Sequence, residues 1–279
     1  MTDHGHDHQG HDHAWAFEGP EEVERVTRDG EISQPFVAMV TSQLAGRDVG
    51  RVLDVGAGPG VGTCELARLL PQARIIALEP SESMGAALAD RAAALGVDDR
   101  VEVRRGGLPE GLIGIEDIDL VWASMSLHHV ADEVAALQAV RSVLSDDGVV
   151  ALAERTGMPA QVIPDLRPGL ASRLRAVYET YFDHMRHTLE DQVESGDLAA
   201  MVEAAGLTVR SDEERSITHD PPLSVDQLAF VTAWTQRALG QLADKLDPQD
   251  LDAIQAYIDD PERGDTPITI SRRMVIASR

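Results

Sequence analysis

The glycine-rich segment Val52–Thr63 constrains the fold of this chain more than any other stretch. A short apolar run, Arg51–Val55, leads directly into Gly-Ala-Gly-Pro-Gly, which places glycines at positions 56, 58 and 60. Glycine allows positive φ angles and leaves no Cβ where a ligand approaches the backbone. In open α/β sheets, nucleotides bind at such a turn after the first strand. The segment therefore predicts a strand, a ligand-binding turn and a helix.

An acidic residue stands at the end of the second predicted strand. The apolar run Ala73–Leu78 ends at Glu79, where a carboxylate can accept hydrogen bonds from both hydroxyls of a ribose. The dinucleotide fingerprint Gly-x-Gly-x-x-Gly needs a glycine at the sixth position, which is Val61 here. The pattern therefore does not indicate a pyrophosphate cradle. A tight turn without any ligand is the structural alternative.

The remaining pattern alternates between short apolar runs and amphipathic segments, which favours a parallel sheet buried on both faces. We expect Gly30 and Pro35 to break the N-terminal helical pattern, and Ser81 to cap the second helix of the sheet domain. We expect a turn at Asp146–Gly148. The predicted strands cover 51–55, 74–78, 101–104, 118–123, 149–153, 207–216 and 268–277. The predicted helices cover about 61–70, 83–95, 132–144, 170–190, 197–205 and, as two helices, 224–258.

Several motifs occur in an order that resembles a known family. The glycine turn Val52–Gly60 precedes Glu79, the segment Asp119–Val130 contains Leu-His-His-Val, and Leu144–Val150 contains a turn before the fifth strand. Together they resemble the class I methyltransferases that use S-adenosylmethionine (SAM), over residues 50 to 155 and the last strand. The resemblance implies an α/β fold with a seven-stranded, doubly wound, mostly parallel sheet, an antiparallel last strand and a helical lid.

The resemblance also implies how the chain is organised and where SAM binds. The low-complexity composition of residues 1–13 separately predicts a disordered His-rich tail. For the rest of the chain, the resemblance implies N-terminal lid helices at 14–48, a SAM-binding core at 49–155, a lid insertion at 156–195, and the rest of the core at 196–279 with inserted helices at about 224–260. The predicted cofactor-binding residues are Asp54, Gly56, Ala57, Gly58, Gly60, Glu79, Pro80, Met84, Gly107, Leu108, Ser124 and Met125.

One position departs from the family pattern. The family often has Gly-Asp after the third strand, where the aspartate binds the adenine amino group, and this chain has Gly106-Gly107. The backbone N–H of Leu108 with packing on Met84 can hold adenine instead, or Glu110 can reach the ring.

The candidate catalytic residues follow the fourth strand. Methyl transfer from SAM needs a positioned acceptor and, for some acceptors, a general base. His129 is the first choice for that base and His128 the second, and the alternative is that both line the pocket or cap the next helix. The lid supplies the candidate substrate residues Trp15, Phe17, Tyr178, Tyr181 and His184. Packing within the lid, or against the flank of the sheet domain, is their alternative role.

We predict no metal site. His184 and His187 are one helical turn apart, but no further ligand completes a convincing set. The five histidines in residues 1–13 can capture zinc, nickel or copper, but we favour a solvated tail without a role in turnover.

Composition narrows the function further. The net charge of −24 and a single lysine exclude the basic groove that a nucleic-acid partner needs. One cysteine and no apolar run of membrane-spanning length favour the cytoplasm and no membrane partner. We therefore expect a SAM-dependent methyltransferase with a small-molecule acceptor from biosynthesis. The alternatives are a peptide or carboxyl methyltransferase, or a protein that binds SAM or metal without turnover.

Overall fold

The computed structural model describes residues 18–155, 165–174, 176–177, 180, 197–260 and 267–279. The strands are β1 (Arg51–Val55), β2 (Arg74–Glu79), β3 (Val101–Arg105), β4 (Ile118–Ser124), β5 (Leu144–Arg155), β6 (Thr208–His219) and β7 (Ile268–Ser278). The helices are α1 (Pro20–Ser33), α2 (Pro35–Gln43), α3 (Val61–Leu69), α4 (Glu82–Leu95), α5 (Glu133–Val143), α6 (Leu198–Ala204), α7 (Val225–Leu242) and α8 (Pro248–Asp259).

The strands form one seven-stranded sheet in the order β3-β2-β1-β4-β5-β7-β6. β1 to β5 pair in parallel, and β7 runs antiparallel to both β5 and β6. This confirms the predicted doubly wound sheet and its antiparallel last strand. The strand order reverses between β1 and β4, so their carboxyl ends flank the crevice where ligands bind in such sheets.

Both faces of the sheet are buried, as the continuous apolar strands predict. One face carries Val52, Trp122 and Ala151 against α1, α2, α3 and α7. The opposite face carries Leu53 and Leu152 against α5 and α6. Burying one such side chain stabilises the fold by about 1.5–3 kcal/mol, so the two faces hold the sheet rigid beneath the crevice.

Two local predictions are wrong. Gly30 lies inside α1 rather than at its end. Its missing Cβ would lie 3.0 Å from the Cβ of Val61, so the glycine allows α1 to pack closely on α3. Asp146–Gly148 lie within β5 rather than in a turn before it. β5 pairs with β4 on both sides of them, at Leu144 with Ile118 and at Val149 with Leu120, and the register shifts in between. The other predicted boundaries in the described residues agree within about three residues, and Ser81 caps α4 as expected.

A third apolar cluster joins α8 to the segment before α6. Leu170 and Leu174 pack against Ile254 and Ile258. Next to them the buried carboxylate of Asp250 pairs with the guanidinium groups of Arg167 and Arg173, at 2.5 and 2.6 Å. These pairs lower the pKa of Asp250, with Arg173 contributing most.

The predicted tail at 1–13, Trp15, Phe17, Tyr178, Tyr181, His184 and His187 lie outside the described residues. The domain boundaries and the lid stay predictions. Among the helices that the structure describes, none combines the length and apolarity that crossing a membrane requires.

Candidate functional site

The glycine turn connects β1 to α3 at the centre of the carboxyl edge of the sheet. Gly56, Gly58 and Gly60 have φ angles of +67°, +55° and +82°, in the left-handed region that favours glycine. The N–H groups of Gly56 and Ala57 donate to the carbonyl oxygen of Leu78 on β2, at 2.9 and 3.1 Å. The turn is therefore tied to the neighbouring strand, and Gly60 at the N-cap of α3 has no side chain to offer the N–H groups that begin the helix. N–H groups at a helix start favour an anionic ligand group.

The position of Gly60 gives a test of this turn. A Cβ there would lie 2.5 Å from Cγ of Leu88, a fully buried side chain on α4. We expect Gly60→Ala to destabilise the protein by about 2–4 kcal/mol, from backbone strain and overpacking together. Gly46→Ala is the matched control, because Gly46 has φ +88° but nothing within 4 Å of its Cβ position. Denaturant unfolding that gives equal losses for both variants would contradict close packing at Gly60.

Glu79 ends β2 beside the glycine turn. Its Oε2 accepts from the N–H of Gly58 at 2.8 Å, and its Oε1 accepts from the N–H of Ser81 at 2.9 Å. Burial raises the pKa of Glu79, while these two hydrogen bonds lower it. A carboxylate has about four acceptor positions, so two remain for ribose hydroxyls. Pro80 follows directly and leads into the cap of α4.

Asp54 lies beneath the turn rather than at its surface. Its side chain is 3% exposed, and the hydroxyl of Thr63 donates to its Oδ2 at 2.6 Å. Burial, together with the charge of Glu79, raises the pKa of Asp54 to about 7, although the Thr63 hydrogen bond acts in the opposite direction. The hydrogen bond between Asp54 on β1 and Thr63 on α3 ties the two elements together and so holds the turn between them.

The predicted adenine residues lie on the far side of Glu79. The N–H of Gly106 donates to the carbonyl oxygen of Glu79 at 3.1 Å, which places the following Gly107 and Leu108 beside β2. Leu108 packs against the apolar cluster on the sheet face that α5 and α6 cover, and Met84 is buried near the start of α4. Glu110 is exposed at the start of a short 3₁₀ helix.

The loop after β4 lies against the glycine turn. The Ser126 hydroxyl donates to the carbonyl oxygen of Val55 at 2.8 Å, and a Cβ on Gly56 would lie 2.4 Å from Cβ of Ser126. Ser124 ends β4, and Met125 has a φ of +56°, which is unusual for a residue with a side chain. The N–H of Met125 donates to Ala153 on β5 at 3.1 Å, so the adjacent strand holds this strained residue.

Glu154, near the end of β5, organises this loop, and the sequence analysis missed it. Its Oε1 accepts from the N–H groups of Ser126 and Leu127, both at 3.0 Å. Its Oε2 lies 2.7 Å from Nδ1 of His128. Because a carboxylate only accepts, Nδ1 of His128 carries the proton and Nε2 is an acceptor in the neutral ring. A charged residue at the end of a buried strand was the signal available in the sequence.

His129 has a different environment from His128. The two rings are 4.0 Å apart between centroids. Desolvation by the surrounding protein lowers the pKa of His129 to about 4, and the positive charges of His128, Arg155 and Arg25 contribute, although the residue as a whole is exposed to solvent. His129 is therefore neutral at pH 7.

Helix α1 covers the glycine turn. A Cβ on Gly58 would lie 3.4 Å from Cγ1 of Val26. Glu18, just before α1, accepts from the N–H groups of Glu82 and Ser83 at 3.1 and 3.3 Å. These contacts join α1 to the glycine turn and to the start of α4, and the lid stays a prediction.

These features define the class of the protein. A doubly wound sheet carries a glycine turn, a carboxylate ending β2 and an uncapped helix start at its strand-order reversal, which fits a ligand containing ribose and an anionic group. Glu79 has acceptor positions for the ribose of SAM, and the left-handed glycine turn leaves the backbone open to its approach.

Comparison with known proteins identifies a domain within the chain. Residues 52–148 match the family model described as a methyltransferase domain. Ribosomal RNA small subunit methyltransferase G of Frankia alni is 31% identical over 158 residues, which are 56% of this chain and 56% of that protein. The chain thus spans about half the length of the curated relatives that it first matches.

Solved structures agree on the fold. A provisionally assigned sarcosine dimethylglycine methyltransferase of Galdieria sulphuraria has a TM-score of 0.51 and 18% identity, over 88% of this chain and 85% of that chain. The cyclase SpnF has a TM-score of 0.51 and 18% identity, over 88% and 81%. At these identities the likeness concerns the fold alone. With the matched domain and the glycine turn, residues 52–148 are a methyltransferase domain of the class I, SAM-dependent type, and SAM is the cofactor of that class.

Proposed function

We propose that this protein transfers a methyl group from SAM to a small-molecule acceptor. The observation that carries the proposal is the contact between the glycine turn and the β4 loop, where Ser126 bonds to Val55 and Glu154 aligns His128. This contact puts the predicted cofactor residues and a paired histidine at one edge of the sheet. SAM supplies the activated methyl group, so the protein's task is to orient the acceptor and remove its proton.

The pairing with Glu154 supports His128 rather than His129 as the general base. Glu154 holds the His128 ring with Nε2 as the acceptor, and it favours the imidazolium that forms when Nε2 takes the acceptor's proton. His129 is neutral but a weak base, because desolvation and neighbouring positive charge oppose its protonation. Both roles stay predictions, and the geometry favours His128 over His129, the reverse of the preference that the sequence suggested.

Charge supports a small acceptor over RNA. The chain has 48 acidic residues against 24 lysines and arginines. An RNA substrate requires a surface that neutralises phosphates, and this balance repels them. The small-molecule name of the Galdieria protein agrees with that acceptor class. RNA methylation is the second candidate, because the Frankia relative is named for ribosomal RNA.

The test compares both acceptor classes with the full chain. SAM with a labelled methyl group is incubated with small phenols, amines, carboxylic acids and thiols, and separately with small-subunit ribosomal RNA. We expect label in a small molecule and none in RNA. Label in RNA alone would support the second candidate. No binding of SAM by calorimetry would contradict methyl transfer, since the SpnF fold shows that this architecture also occurs in a cyclase.

A further inference from the structure

Two arginines lie side by side near the carboxyl end of β5, on the sheet face that α1, α2 and α7 cover. Arg155 at the end of β5 and Arg272 on β7 are direct cross-strand partners. Their neighbours two residues away, Ala153 and Met274, belong to the core under α1 and α2, so both arginines project towards these helices. Like charges directly opposite each other destabilise a sheet. Such a pair, with Arg272 buried and Arg155 partly buried, therefore needs a compensating interaction.

Arg272 is buried with part of its guanidinium unused. The residue is 9% exposed, and its Nε atom is buried without an acceptor among the described residues. Its two terminal nitrogens donate to the carbonyl oxygen of Ser271 at 3.1 Å and to the hydroxyl of Ser33 at 3.4 Å. Its guanidinium carbon lies 5.8 Å from the centre of the Phe36 ring. A buried N–H without an acceptor costs free energy, which an oxyanion would recover.

The nearby acidic groups are engaged elsewhere. Glu154 holds the β4 loop and His128. Asp29 on α1 pairs with Arg25 at 2.9 Å. Glu154 and Asp29 act on Arg272 through their charge, but neither accepts from its Nε. Neither Glu154 nor Asp29 therefore satisfies the Nε donor of Arg272, which a ligand could do.

The pair also lies next to the proposed site of methyl transfer. Arg155 directly follows Glu154, and its charge acts on His129. Its guanidinium carbon lies 4.7 Å from the centre of the Trp234 ring on α7. A group bound to the two arginines would thus lie beside the Trp234 ring, at the end of β5 where the charge of Arg155 reaches His129.

We propose that Arg155 and Arg272 bind an oxyanion, a carboxylate or a phosphate, on the acceptor molecule. This inference rests on the proposed methyl transfer and specifies its substrate class. The planar guanidinium groups match two oxygens of such a group, and burial strengthens these hydrogen bonds. The anchored acceptor then presents its nucleophile to the β4 loop, where His128 lies.

Calorimetry on the full chain, saturated with S-adenosylhomocysteine, tests the inference. The probes are benzoate, phenyl phosphate and the neutral methyl benzoate, because Trp234 and Phe36 lie beside the arginines. We expect at least one anion to bind at least about tenfold more tightly than methyl benzoate. Whether benzoate or phenyl phosphate binds more tightly shows whether the acceptor's oxyanion is a carboxylate or a phosphate. Arg155→Gln and Arg272→Gln should each weaken anion binding by about 10- to 100-fold, with methyl benzoate and S-adenosylhomocysteine unaffected.

Arg273→Gln is the matched control. Arg273 adjoins Arg272 on β7 but pairs with Asp212 at the exposed side, so its loss should leave all affinities unchanged. Arg272→Lys keeps the charge without the planar fork and should recover only part of the affinity. If Arg272→Gln fails to fold, Arg155→Gln decides. Equal binding of anions and ester, or anion binding that survives in both variants, overturns the inference. Failure of S-adenosylhomocysteine to bind overturns the proposed function instead.

Discussion

His128→Gln should lower kcat by about 10²- to 10⁴-fold while SAM affinity stays at the wild-type value. The glutamine removes the proton-accepting Nε2 atom, and the side chain of His128 has no described contact with the glycine turn or Glu79. Glu154→Gln should cause a smaller loss, because the ring stays in place but its imidazolium loses a carboxylate partner. Single-turnover kinetics and calorimetry on each variant separate loss of catalysis from loss of binding.

His129→Gln is the matched comparison. Because its pKa is lowered to about 4, His129 is neutral throughout pH 5–8 and cannot produce a change in rate within that range. We expect the pH profile of kcat/KM to keep its shape in His129→Gln. If His129→Gln instead causes the larger loss with intact SAM binding, His129 is the base. If neither variant changes turnover, the base belongs to the lid.

Glu79→Ala should weaken SAM binding by about 5- to 150-fold. Loss of the carboxylate leaves the ribose hydroxyls without their acceptors, at about 1–3 kcal/mol. It also frees the N–H groups of Gly58 and Ser81, so the variant's melting temperature must be recorded as well. Glu82→Ala is the control, because Glu82 is three residues away, its carboxylate forms an exposed pair with Arg105, and its backbone N–H bond to Glu18 survives in alanine.

Two outcomes would contradict the assignment of Glu79. SAM binding to Glu79→Ala at wild-type affinity would exclude the ribose contact. Tighter binding of NAD than of SAM by the wild-type chain would contradict the family's cofactor, and with it the interpretation of the glycine spacing.

The glycine turn, the strands and most helix ends could be predicted from the sequence because their causes are local. A glycine at a positive φ, a serine that caps its own helix and an apolar run of five residues act within one turn or one strand. Glu79 was recognisable for the same reason, since the end of β2 is apparent from the apolar run before it. These signals predicted the fold class and the cofactor edge.

Other features depended on residues that are distant in the chain. Gly30 looked like a helix break, but α1 continues through it because α3 packs against that position. The bulge in β5 depends on its pairing with β4, so the local Asp-Asp-Gly turn signal was misleading.

The catalytic geometry shows the same limit most clearly. The sequence by itself determined that two histidines follow β4 and that a glycine turn follows β1. Only the tertiary structure decided that Glu154 pairs with His128, that desolvation keeps His129 neutral, and that Arg155 meets Arg272. Hydrogen-bond partners, burial and cross-strand register are set by how distant segments pack, and no local pattern of residue types encodes them.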